Sequence, residues 1–146
     1  METRRVMYVD DDLTIAQLVK RIFEKKYPNY EILVAGSASD AADQLHHLTG
    51  QHNFPKALVT DVRLGGPKDG PELVENLRAV FPKLRMIVVS SVRDPKDVQR
   101  ARSAGALAFI EKGLSIPTFV NELVELIQCP TDLMERSTCA ARPDPP

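Results

Sequence analysis

Acidic, hydroxyl and basic side chains each follow a short apolar run of this chain. They are Asp10 to Asp12, Asp61, Ser90 with Ser91, and Lys112. Carboxylates brought to one place raise one another's pKa unless a cation neutralises them. A small, open cluster of carboxylate oxygens suits Mg²⁺, which retains waters and takes a phosphoryl oxygen as a further ligand. These residue types therefore indicate a magnesium-dependent reaction of a phosphoryl group.

The reaction that fits is transfer of the phosphoryl group to a carboxylate. Asp61 is the candidate nucleophile, and it would form an acyl phosphate. Lys112 and the cation would neutralise charge on the phosphoryl oxygens, while the Ser90 hydroxyl would donate a hydrogen bond to one of them. An acidic residue directly after the apolar run Ala57–Thr60 has no packing reason to be there.

Each of these residues also has a plain structural interpretation. Acidic residues commonly cap helices, and we expect this role for Asp12. A lysine such as Lys112 often extends its ammonium group to solvent, and Ser90 alone is an ordinary hydroxyl at a strand end. Helix capping does not account for Asp10 and Asp11 together with the distant Asp61, so their combination favours a site.

The elements that must position these residues are visible as an alternation of apolar runs and helical patterns. The runs are Val6–Val9, Glu31–Val34, Ala57–Thr60, Met86–Val89 and Ala106–Ile110. Runs that are apolar almost throughout are typical of parallel strands covered on both faces. Strands alternating with helices predict an α/β fold with a doubly wound parallel sheet, and ligands bind such sheets at the carboxyl ends of the strands.

Start and stop signals delimit the intervening helices. Ser37 with Asp40 suggests a capping box, Asp94 precedes Pro95 at a helix start, and Gly105 marks a helix end. Ser115 opens a further helical pattern. We therefore predict five helices, one after each strand.

Composition excludes several classes of function. Nineteen basic and twenty acidic residues leave a net charge of −1, which provides no basic footprint for nucleic acid. The apolar runs are far shorter than the roughly 20 residues that span a bilayer, and no signal peptide is visible, so a cytoplasmic protein is expected. Cys129 and Cys139 lack the spacing of a metal or redox motif and are expected to be free thiols.

The chain resembles the receiver domains of bacterial two-component response regulators over about residues 4–128. The resemblance rests on four segments in the family's order: Val6–Asp12, Leu58–Leu64 with Asp69-Gly70 downstream, Ile87–Ser91, and Gly105–Lys112. It implies a flavodoxin-like (βα)5 fold with a five-stranded parallel sheet in the order 2-1-3-4-5. Residues 1–128 would form the receiver domain, and residues 129–146 a flexible tail or the start of a linker.

The resemblance also assigns roles within the site. It implies that Asp61 is the phosphoacceptor, with Asp11 as a direct ligand of Mg²⁺ or Mn²⁺ and Asp10 acting on the metal through water. The backbone carbonyl of Arg63 would be another metal ligand. Lys112 matches the lysine of the family motif. Ser90 matches the switch hydroxyl and Phe109 the aromatic rotamer switch, although a core aromatic is an equally good interpretation of Phe109.

Three departures from the family pattern surround these positions. Lys112 is followed by Gly113 instead of proline, and the loop after Asp61 contains Gly65-Gly66 and is about one residue longer than usual. Arg63 places a long cation beside the site. We hypothesise that Arg63 alters the lifetime of the phosphoryl group, either by contacting it or by blocking the attacking water.

The implied partners are a sensor histidine kinase or a phosphotransfer protein. A homodimer could form through the fourth helix, fifth strand and fifth helix, with no direct nucleic-acid or membrane binding by this segment. Two alternatives stay open. One is a phosphorylation-independent pseudo-receiver that serves only as a binding module. The other is a phosphohydrolase of the haloacid-dehalogenase type, for which Asp10 and Asp12 have suitable spacing but Asp61 and Lys112 lack the expected order.

Overall fold

The computed structural model describes residues 3–129 and contains five strands that alternate with five helices. The elements are β1 Arg4–Val9, α1 Leu13–Lys26, β2 Tyr30–Ala35, α2 Ala38–Leu48, β3 Ala57–Asp61, α3 Gly70–Val80, β4 Arg85–Ser90, α4 Pro95–Ala104, β5 Ala108–Glu111 and α5 Ile116–Gln128. The predicted alternation is confirmed. Several bounds differ from the periodicity. The β1 strand begins two residues earlier than its apolar run and β5 two residues later, while α3 begins at Gly70, ahead of its first apolar residue.

The strands form one parallel sheet in the order β2-β1-β3-β4-β5, as the family resemblance implied. The order reverses between β1 and β3, because β2 lies on one side of β1 and the later strands lie on the other. In doubly wound sheets this reversal opens a crevice at the carboxyl ends of the two central strands. Asp10 and Asp61 lie at those two ends.

Two apolar cores cover the two faces of the sheet. Alternate strand residues, such as Tyr8, Val59 and Ile110, pack against α1 and α5. The residues between them, such as Val9, Leu58 and Phe109, pack against α2, α3 and α4. Because successive strand side chains point to opposite faces, the apolar runs supply both cores at once.

Most of the predicted helix starts are confirmed by capping hydrogen bonds. The side chains of Asp12, Ser37, Asp94 and Ser115 each accept a backbone N–H in the first turn of their helix. The predicted capping box of α2 is incomplete, because the carboxylate of Asp40 accepts from the backbone of Gly36 and not from that of Ser37. A complete box occurs instead at α3, between Asp69 and Glu72.

The C-terminal end of the described chain corrects one expectation. Cys129 is disulfide-bonded and not a free thiol. Cys139 and the predicted tail beyond Cys129 lie outside the described residues. Within residues 3–129, none of the helices has the length and apolar character required to cross a membrane.

Candidate functional site at the carboxyl edge of the sheet

Asp10, Asp61 and Lys112 share one side of the carboxyl edge of the sheet. Each follows by two residues a core side chain that packs against α1 and α5, namely Tyr8, Val59 or Ile110. Continuing the strand alternation therefore places all three charged groups on that side. The site is thus an extension of one core face beyond the ends of β1, β3 and β5.

The ammonium group of Lys112 joins the two carboxylates. Its Nζ donates to Oδ2 of Asp61 at 3.0 Å and to Oδ2 of Asp10 at 3.3 Å. The backbone N–H of Lys112 also donates to the carbonyl of Ser90, which holds the lysine against the end of β4. Lys112 therefore pairs with Asp61, and Asp10 shares the same ammonium.

Burial and charge act in opposite directions on the two ends of this contact. Burial raises the pKa of Asp61, the ammonium of Lys112 offsets part of that rise, and the neighbouring charge of Asp10 adds to it. Burial alone would lower the pKa of Lys112, but the charges of Asp61 and Asp10 outweigh this effect and raise it. Lys112 therefore stays protonated as the counter-charge of the pair.

The carboxylate oxygens at this site are chemically suited to a hard divalent cation. Asp10 is almost fully buried and accepts the backbone N–H of Asp12 with its Oδ1, whereas Asp11 is exposed to solvent. Together with Asp61 they offer carboxylate oxygens, the ligand type that Mg²⁺ and Mn²⁺ prefer. Among the described residues, no three His, Cys, Asp or Glu side chains are already gathered as metal ligands. The metal assignment therefore stays a prediction.

Two glycines after β3, Gly65 in the loop and Gly70 at the start of α3, leave space for the acidic residues. A Cβ at Gly70 would lie 2.1 Å from the backbone oxygen of Asp61, so no side chain fits there without displacing Asp61. A Cβ at Gly65 would lie 3.0 Å from Oδ2 of Asp11. The Asp69-Gly70 pair is visible in the sequence. The role of Gly65 is evident only from its contact with Asp11 in the structure.

The predicted switch residues, Ser90 and Phe109, lie on the opposite face of the sheet. Phe109 is buried in the core that α2, α3 and α4 cover, and Ser90 follows Val88 on the same side. The Ser90 hydroxyl accepts the backbone N–H of Val92 at 3.2 Å, and the guanidinium carbon of Arg93 lies 5.5 Å from the centre of the Phe109 ring. Phe109 therefore points inward here, and the switch roles stay predictions.

Arg63 extends away from the sheet and towards α4. Its side chain is 83% exposed, and its Nη2 lies 3.9 Å from Oδ2 of the buried Asp97. Arg100, on α4, pairs with Asp69 at 2.5 Å and lies 3.9 Å from Asp97. Sequence reasoning missed Asp97, because its burial depends on the packing of α4.

A model described as "Response regulator receiver domain" matches residues 6–124 of the 146-residue chain. The chain belongs to this family. The predicted membership is thereby confirmed, and it disfavours the haloacid-dehalogenase alternative. Receiver domains are signalling phosphoacceptors of two-component systems and not classical enzymes.

Two characterised relatives are distant in sequence. The glycerol metabolism activator of Pseudomonas putida is 25% identical over 108 residues, which are 74% of this chain and 47% of the relative. Sporulation initiation phosphotransferase F of Bacillus subtilis (strain 168) is 22% identical over 116 residues, 80% of this chain and 87% of the relative. This receiver chain therefore spans about half the length of the first relative and most of the second.

Solved structures share the receiver fold. A CheY-like response regulator receiver domain protein from Methanospirillum hungatei JF-1 has a TM-score of 0.73 at 24% identity, covering 92% of this chain and 98% of its own. The signal receiver domain of the putative response regulator NarL from Mycobacterium tuberculosis has a TM-score of 0.74 at 21% identity, covering 89% and 100%. At these identities the likeness supports the fold alone.

Proposed function

We propose that residues 1–128 form a phosphorylation-activated receiver that accepts a phosphoryl group on Asp61 from a histidine kinase or a phosphotransfer protein. The observation that carries this proposal is the contact of the Lys112 ammonium with both Asp61 and Asp10 at the carboxyl edge of the sheet. Phosphorylation would switch partner binding or dimerisation. A relative whose name includes "phosphotransferase" supports a place in a phosphorelay.

Asp61 would react as the nucleophile of an in-line displacement. One carboxylate oxygen forms the new P–O bond while the P–N bond to the donor imidazole breaks, and the imidazole keeps the electron pair. The Lys112 ammonium lies within hydrogen-bond distance of Asp61. It could move from the carboxylate to the phosphoryl oxygens and stabilise their negative charge. The Ser90 hydroxyl, whose oxygen accepts the Val92 N–H, would donate its own hydrogen to one of those oxygens.

Mg²⁺ or Mn²⁺ would be held by Asp10, Asp11, Asp61 and the backbone carbonyl of Arg63. When bound, the cation supplies charge neutralisation at the phosphoryl oxygens. The exposed Asp11 would bind the ion on the solvent side of the site. The carboxylate of the buried Asp10 is held in its orientation by the backbone N–H of Asp12 and would position the ion.

The deciding experiment is incubation with acetyl phosphate and Mg²⁺ followed by intact-mass analysis. We expect the wild type to gain one phosphoryl group and Asp61→Asn to gain none. Asp12→Asn is the matched control, because Asp12 caps α1 and its loss should leave labelling intact. An unlabelled wild type would contradict phosphorylation by this small donor, and failure to bind beryllofluoride as well would favour the pseudo-receiver.

Arg63 would set the lifetime of the acyl phosphate. It follows Asp61 by two residues, its guanidinium is exposed, and its 3.9 Å contact with Asp97 is weak enough to exchange for a phosphoryl oxygen. The measurement is the dephosphorylation rate of Arg63→Ala after removal of the donor. A rate equal to that of the wild type would contradict this role.

The output surface would be formed by α4, β5 and α5. Phe109 on β5 packs against the core under α4, so a change in its rotamer would alter this surface. We expect beryllofluoride with Mg²⁺ to change the dimerisation or partner binding of the wild type. Sedimentation profiles that are identical with and without beryllofluoride would count against the homodimer.

A further inference from the structure

Tyr8 places a buried hydroxyl group behind the acidic site. The residue is 1% exposed, and among the described residues its hydroxyl has no hydrogen-bond partner. The chain contains three tyrosines, and the other two have partners: the Tyr27 hydroxyl donates to Oδ1 of Asn121 at 2.7 Å, and the Tyr30 hydroxyl accepts from Gln128 at 3.4 Å. Buried hydroxyls are rarely left without a partner, because their desolvation is then uncompensated.

Strand register explains where this hydroxyl lies. Tyr8 on β1 is paired with Val59 on β3, and the two residues precede Asp10 and Asp61 by the same two positions. Tyr8 also packs on the same face of the sheet as Val59. Tyr8 therefore lies on the same face of the sheet as both carboxylates, one pleat closer to the amino ends of the strands.

The chemistry of the hydroxyl agrees with this placement. The hydroxyl of a neutral phenol can donate a hydrogen bond, and a carboxylate has several lone pairs with which to accept it. At present the Lys112 ammonium is the side-chain donor shared by the two carboxylates.

We propose that Tyr8 is a positioning residue of the phosphoacceptor site, whose hydroxyl donates a hydrogen bond to the Asp10–Asp61 carboxylate pair, directly or through one water. The bond forms when Lys112 turns from the pair towards an incoming phosphoryl group. Tyr8 thus replaces the donor that the carboxylates lose and holds them in the orientation that binds the cation. This inference rests on the proposed function, because it requires a phosphoryl group that attracts Lys112.

The test compares Tyr8→Phe with the wild type and with Tyr30→Phe. Both substitutions remove one hydroxyl from a buried ring, but Tyr30 lies at the amino end of β2, away from the site. The readout is Mg²⁺ affinity measured by calorimetry, with and without beryllofluoride. Loss of a group that orients metal ligands weakens metal binding by about tenfold at its lower limit, and we expect this loss in Tyr8→Phe with beryllofluoride present.

A spectroscopic signal tests the same bond without a substitution. With ¹³C-labelled tyrosine, the Cζ resonance of Tyr8 should shift when Mg²⁺ and beryllofluoride are added, while that of Tyr30 should not. If the wild type binds Mg²⁺ with beryllofluoride, but Tyr8→Phe binds equally well and the Cζ resonance stays constant, the inference is wrong and the proposed function stands. If the wild type binds neither ion, both are overturned.

Urea denaturation separates positioning from packing. A hydroxyl that has no partner in any state only opposes folding, so Tyr8→Phe would then be more stable than the wild type and unchanged in Mg²⁺ affinity. That result would overturn the proposal. A variant that is folded, as judged by circular dichroism, but impaired in Mg²⁺ affinity supports it.

Discussion

Replacing Lys112 with methionine should expose how far the acidic site depends on its internal counter-charge. Methionine keeps much of the length and apolar surface of the lysine stem but removes the ammonium. Asp61 and Asp10 would then lose the donor that lies 3.0 Å and 3.3 Å from them. Since Asp10 is only 2% exposed, solvent compensates that loss poorly.

The magnitude follows from distance and exposure. At an effective dielectric constant of about 20, each ammonium–carboxylate contact contributes roughly 5 kcal/mol before desolvation is subtracted. Removing one partner from a buried ion pair costs about 3–5 kcal/mol in measured cases. The Lys112 and Asp61 side chains keep 20% and 18% of their surface exposed, so we expect the lower end of that range. The free energy of unfolding should therefore fall by about 3 kcal/mol near neutral pH in the absence of Mg²⁺.

The stability lost in Lys112→Met should depend on pH, because the substitution changes the pKa of Asp61. Without the ammonium, burial and the charge of Asp10 raise the pKa of Asp61 further in the folded state, while the unfolded value stays ordinary. The folded variant then binds a proton more readily than the unfolded chain, so its stability rises as the pH falls through that raised pKa. The cost of Lys112→Met should consequently be smaller near pH 5 than near pH 7.

Urea denaturation followed by circular dichroism at both pH values measures this cost. Lys83→Met, at an exposed position, is the matched control and should change stability little. In a double-mutant cycle, Lys112→Met should cost less in an Asp61→Asn background, because one of the two charges left behind is gone. A cost below about 0.5 kcal/mol, or one that is equal at both pH values, would refute this account of the site.

Three further predictions concern the same edge of the sheet. Asp61→Asn should raise the urea midpoint near neutral pH, because burial penalises the ionised carboxylate of the folded state; the gain should vanish below about pH 4, where the unfolded chain also protonates. Gly70→Ala should lower stability by about 3 kcal/mol and slow labelling by acetyl phosphate, because its Cβ would lie 2.1 Å from the Asp61 oxygen; Gly66→Ala, with no atom within 4 Å of the added Cβ, should do neither. Arg100→Met should cost less than about 1 kcal/mol in urea denaturation, and high salt should reduce the difference, because its partly exposed pair with Asp69 is screened.

Local signals in the sequence predicted much of the fold. Asp12, Ser37, Asp94 and Ser115 were identifiable as helix caps because a cap depends on residues only two or three positions away. Bounds were less accurate where tertiary contacts decide them. The α3 helix begins at Gly70, ahead of the apolar periodicity. The Asp69–Glu72 capping box is a local signal for this start, whereas the close approach of Gly70 to Asp61 is a tertiary contact.

The site was predictable for a related reason. In a parallel sheet the ends of all strands meet at one edge, so Asp10, Asp61 and Lys112 could be placed together from their positions after apolar runs alone. Their shared ammonium contact agrees with that placement. The disulfide state of Cys129 was predicted wrongly, because the position of a cysteine in the sequence does not report what its sulfur meets in space.

The parallel α/β fold and the group of charged residues at the sheet edge could be predicted from the sequence, because both depend on periodicity and on strand ends. Which of these groups are in contact depends on the tertiary structure. The alternation of side chains across the sheet sends Asp61 and Lys112 to one face and Phe109 to the other. Strand register then pairs Tyr8 with Val59, two residues before Asp61, a relation that no local pattern contains because β1 and β3 are distant in the chain.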